Sequence, residues 1–149
     1  LVVRRRLPRI LQSTRSASVA RGLWESLRDP EQVLRVRSAR ALSVMVAEQP
    51  QLAFDAREVF ELVRSEVRAS PNEPGLMSHV FALLSLALDR DALAHAREAL
   101  ASTDARQRGT ALEYLNNTLP EPVRSELAAA IATRSSREPP LKERPSESS

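Results

Sequence analysis

Apolar positions recur along this chain at helical rather than strand spacing. Val33, Val36, Leu42 and Val46, with Ala39 and Ala41 among them, share one side of a helical repeat that runs to Glu48. Asp29-Pro30-Glu31-Gln32 predicts its start: Asp29 caps, Pro30 takes the first helical position and Gln32 completes a capping box. Gln49-Pro50 ends it, because the residue before a proline resists the α region. Asp55 then caps a helix with Val59, Phe60, Val63 and Val67 on one face, and Arg57, Glu58, Glu61, Arg64 and Arg68 mostly on the other. The stretch ASPNEPG (69–75) is the clearest break in the middle of the chain.

From Leu76 to Leu88 the pattern is apolar on most faces, which predicts a helix buried on more than one side, with neighbours before and after it. Asp89-Arg90-Asp91 makes a turn, and Leu93, Ala96 and Leu100 mark the next helix. Ser102 or Thr103 caps another, which runs to about Thr118 with Leu112, Leu115 and Leu119 inward. Pro120 and Pro122 open the last, with Val123, Leu127, Ala130 and Ile131 on its face. At the N-terminal end, a helix over about Val3–Ser13, kinked or shortened by Pro8, is partnered by Val19–Leu27, which holds Leu23 and Trp24. No strand candidate competes.

These segments predict an all-α domain over 1–133, followed by a disordered, polar, proline-rich tail over 134–149. The helices group into about four antiparallel pairs, roughly 3–28, 31–69, 72–102 and 103–133. Pairs too small to bury their own faces gain stability by stacking, so the expected architecture is a right-handed α-solenoid, with a helical bundle as the alternative.

Three stretches carry a resemblance to HEAT repeats, helix hairpins whose first helix tends to hold a proline and whose turn often has an Asp followed by Val-Arg, small residues and Leu. RRRLPRIL (4–11) resembles such a first helix, with Pro8 at the kink. LRDPEQVLRVRSARAL (27–42) resembles the turn, with Asp29, Val36-Arg37, Ala39 and Leu42. STDARQRGTALEYL (102–115) repeats it with Asp104, Arg108, Ala111 and Leu115; Gln107 departs from the pattern, and the Asp-to-Arg spacing differs between the two copies. The resemblance covers about residues 3–133. FALLSLALDRDAL and RGTALEYLNNTLPEPVR, in addition, look like the HEAT-containing extension of certain bacterial membrane proteins that carry a major-facilitator or nucleotide-exchange-type transporter region upstream.

Composition narrows the picture. Five aromatic residues, Trp24, Phe54, Phe60, Phe81 and Tyr114, argue against a β-sandwich, and Ala, Leu, Arg and Glu dominate. There is no cysteine, so neither a disulfide framework nor a thiolate metal site is open, and a reducing, cytoplasmic setting suits the chain. Basic residues are 21 Arg and Lys142, a skew that fits a GC-rich genome. The first residue is Leu, which points to a fragment or processed piece with more protein upstream. Neither a membrane-spanning stretch nor a signal peptide is present.

Charge is uneven. Residues 1–21 hold six arginines and no acid, so the net +3 of the chain leaves the remainder at −3. Arg5 and Arg9 share a helical face, and with Arg4 they form a possible interaction edge for nucleic-acid or lipid phosphates or an acidic protein; a solvated cap of the array accounts for the same residues. Arg35, Arg37, Arg106 and Arg108 have a structural reading, pairing with Asp29 and Asp104.

Chemistry is sparse. His79 and His95 are the only histidines; Asp91 and His95 share a helix face, and a metal site would need His79 and Asp89 to converge on them. Surface positions near a turn are the expected reading of both. No His-Glu dipeptide of the kind found in HEAT-like di-iron hydroxylases occurs, nor a catalytic Asp with flanking aromatics as in HEAT-like DNA glycosylases. The serines lack a base to activate them, and Gly22, Gly75 and Gly109 form no phosphate loop. Asn116-Asn117-Thr118 fits a glycosylation acceptor only formally. Tyr114, the lone tyrosine, is expected to pack at a helix flank with its hydroxyl free to find a partner.

Pro8, Asp29, Arg37, Asp104, Arg108 and Tyr114 are thus the expected structural repeat positions. The function expected is that of a non-enzymatic scaffold without cofactor, whose partner is another protein or another domain of the same chain. A cytosolic regulatory domain of a bacterial transporter is the runner-up, touching the membrane only through a missing upstream region. Phosphate binding by the basic edge comes third.

Overall fold

The computed structural model describes residues 9–52 and 54–137. Pro8, Arg4 and Arg5 lie outside these, as do residues 138–149 of the expected tail; Arg9 is the first residue of the first helix. The described chain is all helical: α1 (Arg9–Ser26), α2 (Gln32–Glu48), α3 (Ala56–Ala69), α4 (Leu76–Leu84), α5 (Arg90–Leu100), α6 (Ala105–Thr118) and α7 (Val123–Arg137), with no strand among the described residues.

The helix ends follow from local chemistry. Asp55, Asp89 and Asp104 cap α3, α5 and α6, accepting from the backbone N–H groups of Arg57, Ala92 and Arg106. Asp104, not Ser102 or Thr103, is therefore the cap of α6. α2 starts later than Asp29-Pro30 predicts. The Asp29 carboxylate is used within the turn, where it accepts from the Glu31 N–H at 2.8 Å, and Glu31 occupies the cap position in extended backbone without a side-chain cap bond. α4 stops at Leu84 rather than Leu88. There the Ser85 hydroxyl donates to the Ala82 carbonyl, and the Leu86 and Ala87 N–H groups turn back to Leu83 and Leu84.

Two expected borders move. The first helix pair is a single continuous helix as far as it is described, because Thr14 to Ser18 contains neither Gly nor Pro and nothing breaks the turn between Ser13 and Val19. α7 runs on to Arg137, past the border expected at 133. Its Arg134 guanidinium donates to the carbonyls of Glu73 and Pro74 at 2.8 and 3.2 Å, which ties down the last turns.

The packing also shifts the pairs by one helix. The helices that pack most extensively on their chain neighbours are α1 on α2, α3 on α4 and α5 on α6, rather than α2 with α3 or α4 with α5. α2 lies beside α4. Arg35 and Ser43 of α2 meet the surroundings of His79 in α4 and of Ser85 at its C-terminal cap in the same order, so the two helices run parallel. α4 meets α2, α3 and, more lightly, α5, and its Leu76, Val80, Phe81, Leu83 and Leu84 are buried, as its all-round apolar pattern requires.

α7 reaches back to α3. Val123, Leu127 and Ala130 are buried with the α3 residues Val59 and Val63 in one apolar cluster. Above it, the Glu126 carboxylate accepts from Arg64 (3.2 and 3.3 Å) and from Arg68 (2.7 Å). Trp24 stacks on Phe54 with centroids 4.9 Å apart, and the Arg28 guanidinium lies over the indole.

The turns that enter α2 and α6 are built alike. Asp29 and Ser102 each accept, through a side-chain oxygen, the N–H two residues on, and each accepts at its carbonyl a guanidinium six residues on: Arg35 at 2.9 Å and Arg108 at 2.8 Å. Leu42 and Leu115 follow at equal spacing, and both are buried. Asp29 therefore aligns with Ser102, not with Asp104, and the unequal Asp-to-Arg spacing of the two copies disappears.

Candidate functional site

α4 and α5 touch only lightly, and a groove opens over α4 between α2 and α5. Its volume is about 950 Å³. One wall is the outer face of α2, with Val33, Val36, Arg37, Arg40 and Val44; the other is α5, with Arg90, Ala94, Arg97 and Ala101. Ser78 and Ala82 of α4 and Ser85 at its C-terminal cap lie along the floor, and Glu73 and Gly75 mark one end.

Two polar clusters fix the floor. At the first, the Arg35 guanidinium forks onto Glu66, with Nε 2.7 Å from one carboxylate oxygen and Nη2 3.4 Å from the other, while Nη1 donates to the carbonyls of Asp29 and Pro30. The Arg35 and Glu66 side chains are 17% and 8% exposed, so most of this pair is withdrawn from water. On its far side the Glu66 carboxylate lies 3.2 Å from Nε2 of His79. The ring is out of line for a hydrogen bond, and neither of its nitrogens has a hydrogen-bond partner among the described residues. Burial pushes the Glu66 carboxyl up, but the His79 ring and the Arg35 guanidinium outweigh it, and the net shift is below the usual carboxylate range. The second cluster closes the opposite end. The Ser43 and Ser85 hydroxyls are 2.9 Å apart, and Arg90 donates to the Ser43 carbonyl at 2.9 Å.

His79 is thus not a surface histidine near a turn: it replaces an apolar residue on the buried face of α4, where the chain passes the end of α3. His95 is exposed on α5, and among the described residues no group of three His, Asp or Glu could hold a metal ion. Arg37 does not pair with Asp29; it is exposed on the groove wall, and Arg35 makes the contact in its place. Arg108 and Asp104 act within the α5–α6 turn, and Tyr114 is half-buried against the core.

Sequence reading missed Glu66. The signal was present: Glu66 stands in the row Leu62, Val63, Val67, where an acid interrupts an otherwise buried face. The groove left a signal too. α2 carries Val33, Leu34 and Val44 in addition to the residues its core face needs, and these are 57%, 40% and 49% exposed. Val33, expected inward, is the most exposed of them.

Among the described residues Arg37, Arg40 and Arg97 make no ion pair. The arrangement is suited to holding a ligand with apolar and anionic groups. No protein-family model, curated protein or solved structure matches the chain.

Proposed function

We propose that this chain is a non-enzymatic helical-repeat module of the HEAT type, which holds a segment of another protein, or of another domain of its own chain, in the groove over α4. The observation that carries the reading is the groove itself: a long concavity walled by exposed valines and unpaired arginines, floored by small side chains and fixed at both ends by polar clusters. A concave, mostly apolar face with a few placed polar groups is the usual form of a binding site. The repeat character is supported by the matching turns at Asp29–Arg35 and Ser102–Arg108 and by the parallel stacking of α2 on α4. The return of α7 onto α3 would close one side of such a row instead of leaving it open. A cytoplasmic setting, free or as an appendage of a longer membrane protein, goes with this proposal; no described helix is long and apolar enough to cross a membrane.

The test is site-specific photo-cross-linking in the cells that make the protein. A photoreactive phenylalanine at Val44, on the groove wall, is compared with one at Glu113, exposed on α6. A single adduct at Val44, absent at Glu113 and lost when Arg40→Glu is added, supports the groove as the binding face. Equal labelling at both sites, or none at Val44, refutes it.

A further inference from the structure

We propose that the occupant of the groove is an amphipathic helix with an apolar stripe flanked by acidic residues. This rests on the groove reading above and adds the chemistry of the partner.

Shape comes first. The groove lies between helices, and Ser78, Ala82 and Ser85 are spaced one turn apart along its floor, with Ala94 and Ala101 on the α5 wall. Small side chains in this register leave a channel in which another helix can approach closely, as in other helix-in-groove complexes. The α5 wall runs over Arg90–Leu100, 11 residues, so it offers about 16 Å to a partner, three turns of helix.

The apolar and charged lining sets the pattern. Val33, Val36 and Val44 present apolar surface from α2. Arg37 and Arg40 stand on the α2 side, and Arg90 and Arg97 on the α5 side; the last two are seven residues apart, about 10 Å along the helix. Positive charge thus stands on both walls of the groove, among the valines on α2 and opposite them on α5. Of the acids in the lining, Glu66 is already held by Arg35, which leaves Glu73 and Glu98. Glu73 belongs to the end beside Gly75, and Glu98 to the second half of α5, so the basic character is strongest where Arg40 and Arg90 flank the Ser43–Ser85 contact. An occupant with acids on both flanks of its stripe meets this field, and a basic one is repelled. His79 supplies a second sign that the floor awaits a ligand. Its side chain is 5% exposed and lines the groove; Nε2 faces the Glu66 carboxylate at 3.2 Å out of hydrogen-bond geometry, and Nδ1 has no partner among the described residues. A polar group of the occupant that reaches the ring would satisfy it.

Fluorescence anisotropy with labelled 15-residue peptides tests the proposal. The probes are a helix with a leucine stripe and glutamate flanks, the same peptide with lysine flanks, a scramble of the first that destroys the stripe, and a single-stranded oligonucleotide. The acidic patterned helix binds, and the scramble binds about tenfold more weakly or not at all. The exposed double variant Arg37→Glu/Arg97→Glu weakens the acidic helix about tenfold and improves binding of the lysine-flanked one. Val33→Asp/Val44→Asp abolishes binding of the acidic helix. Circular dichroism of each variant confirms that it is folded. The proposal is overturned if the scramble binds as well as the patterned helix, if the charge-reversed variant binds it unchanged, or if the oligonucleotide binds more tightly than any peptide. If cross-linking at Val44 captures a partner while the acidic helix shows no binding, the chemistry assigned to the occupant is wrong and the groove reading stands. If both fail, both fall.

Discussion

Glu66→Ala gives the sharpest test of how the groove floor is held. The substitution removes the acceptor that lies 2.7 Å from Arg35 Nε and 3.4 Å from Nη2, while Nη1 keeps its bonds to the carbonyls of Asp29 and Pro30. Removing one partner of a buried pair costs about 3–5 kcal/mol, because the other charge stays behind without compensation. The Arg35 side chain is 17% exposed, so some water reaches it and the lower end of that range applies, about 3 kcal/mol. For a domain of this size that is a fall in Tm of roughly 12 °C. Thermal unfolding followed by circular dichroism, together with urea titration, reads it directly.

The companion double variant Arg35→Met/Glu66→Leu removes both charges and fills the space, and it should lie within about 1 kcal/mol of the parent. Acid supplies a further check. The folded-state carboxyl lies below its ordinary value of 4.5, so its stabilising contribution is complete above the unfolded-state value. That contribution disappears as pH falls through the depressed value, and the deficit of Glu66→Ala must shrink over the same window. A cost below about 1 kcal/mol for the single variant, or a double variant as unstable as the sum of the two singles, would refute a coupled buried pair.

Other perturbations separate neighbouring claims. Asp104→Ala should lose about 1 kcal/mol in urea denaturation, whereas Glu31→Ala, at a cap position without a cap bond, should stay within about 0.5 kcal/mol of the parent. Glu126→Ala removes the acceptor shared by Arg64 and Arg68, which hold this carboxyl below the usual range; hydrogen exchange should then quicken in α7 before it does in α2, and a uniform change would count against a local clamp. Leu84→Ala, at a side chain with no exposed surface, should cost about 2–5 kcal/mol, while Val44→Ala on the groove wall should change stability by no more than about 0.5 kcal/mol, both by urea titration.

Helix number and type were largely legible, since period, proline and aspartate punctuation act locally. Pairing was less so. The borders at 31–69 and 72–102 treated the Asp29 turn as a divider between pairs, whereas α1 packs on α2 across it. The likeness of the two turns was hidden by chemistry: Ser102 does through a hydroxyl what Asp29 does through a carboxylate, so matching aspartate to aspartate misaligned them. The contact of α7 with α3 and the meeting of Arg35, Glu66 and His79 depend on how helices far apart in the chain come to lie together, which local periodicity does not encode. The groove was visible only as a surplus of apolar positions on α2, a surplus that a core-facing reading assigned to burial.

The anchoring of α7 has a practical consequence. Arg134 is bonded to the backbone of Glu73 and Pro74, and Glu73 is itself a rim residue of the groove. The last described turn of α7, which ends at Arg137, is therefore held beside that rim. A small environment-sensitive dye attached at Arg134 or its neighbours on the last turn of α7 would sit beside the groove and report on whether it is filled.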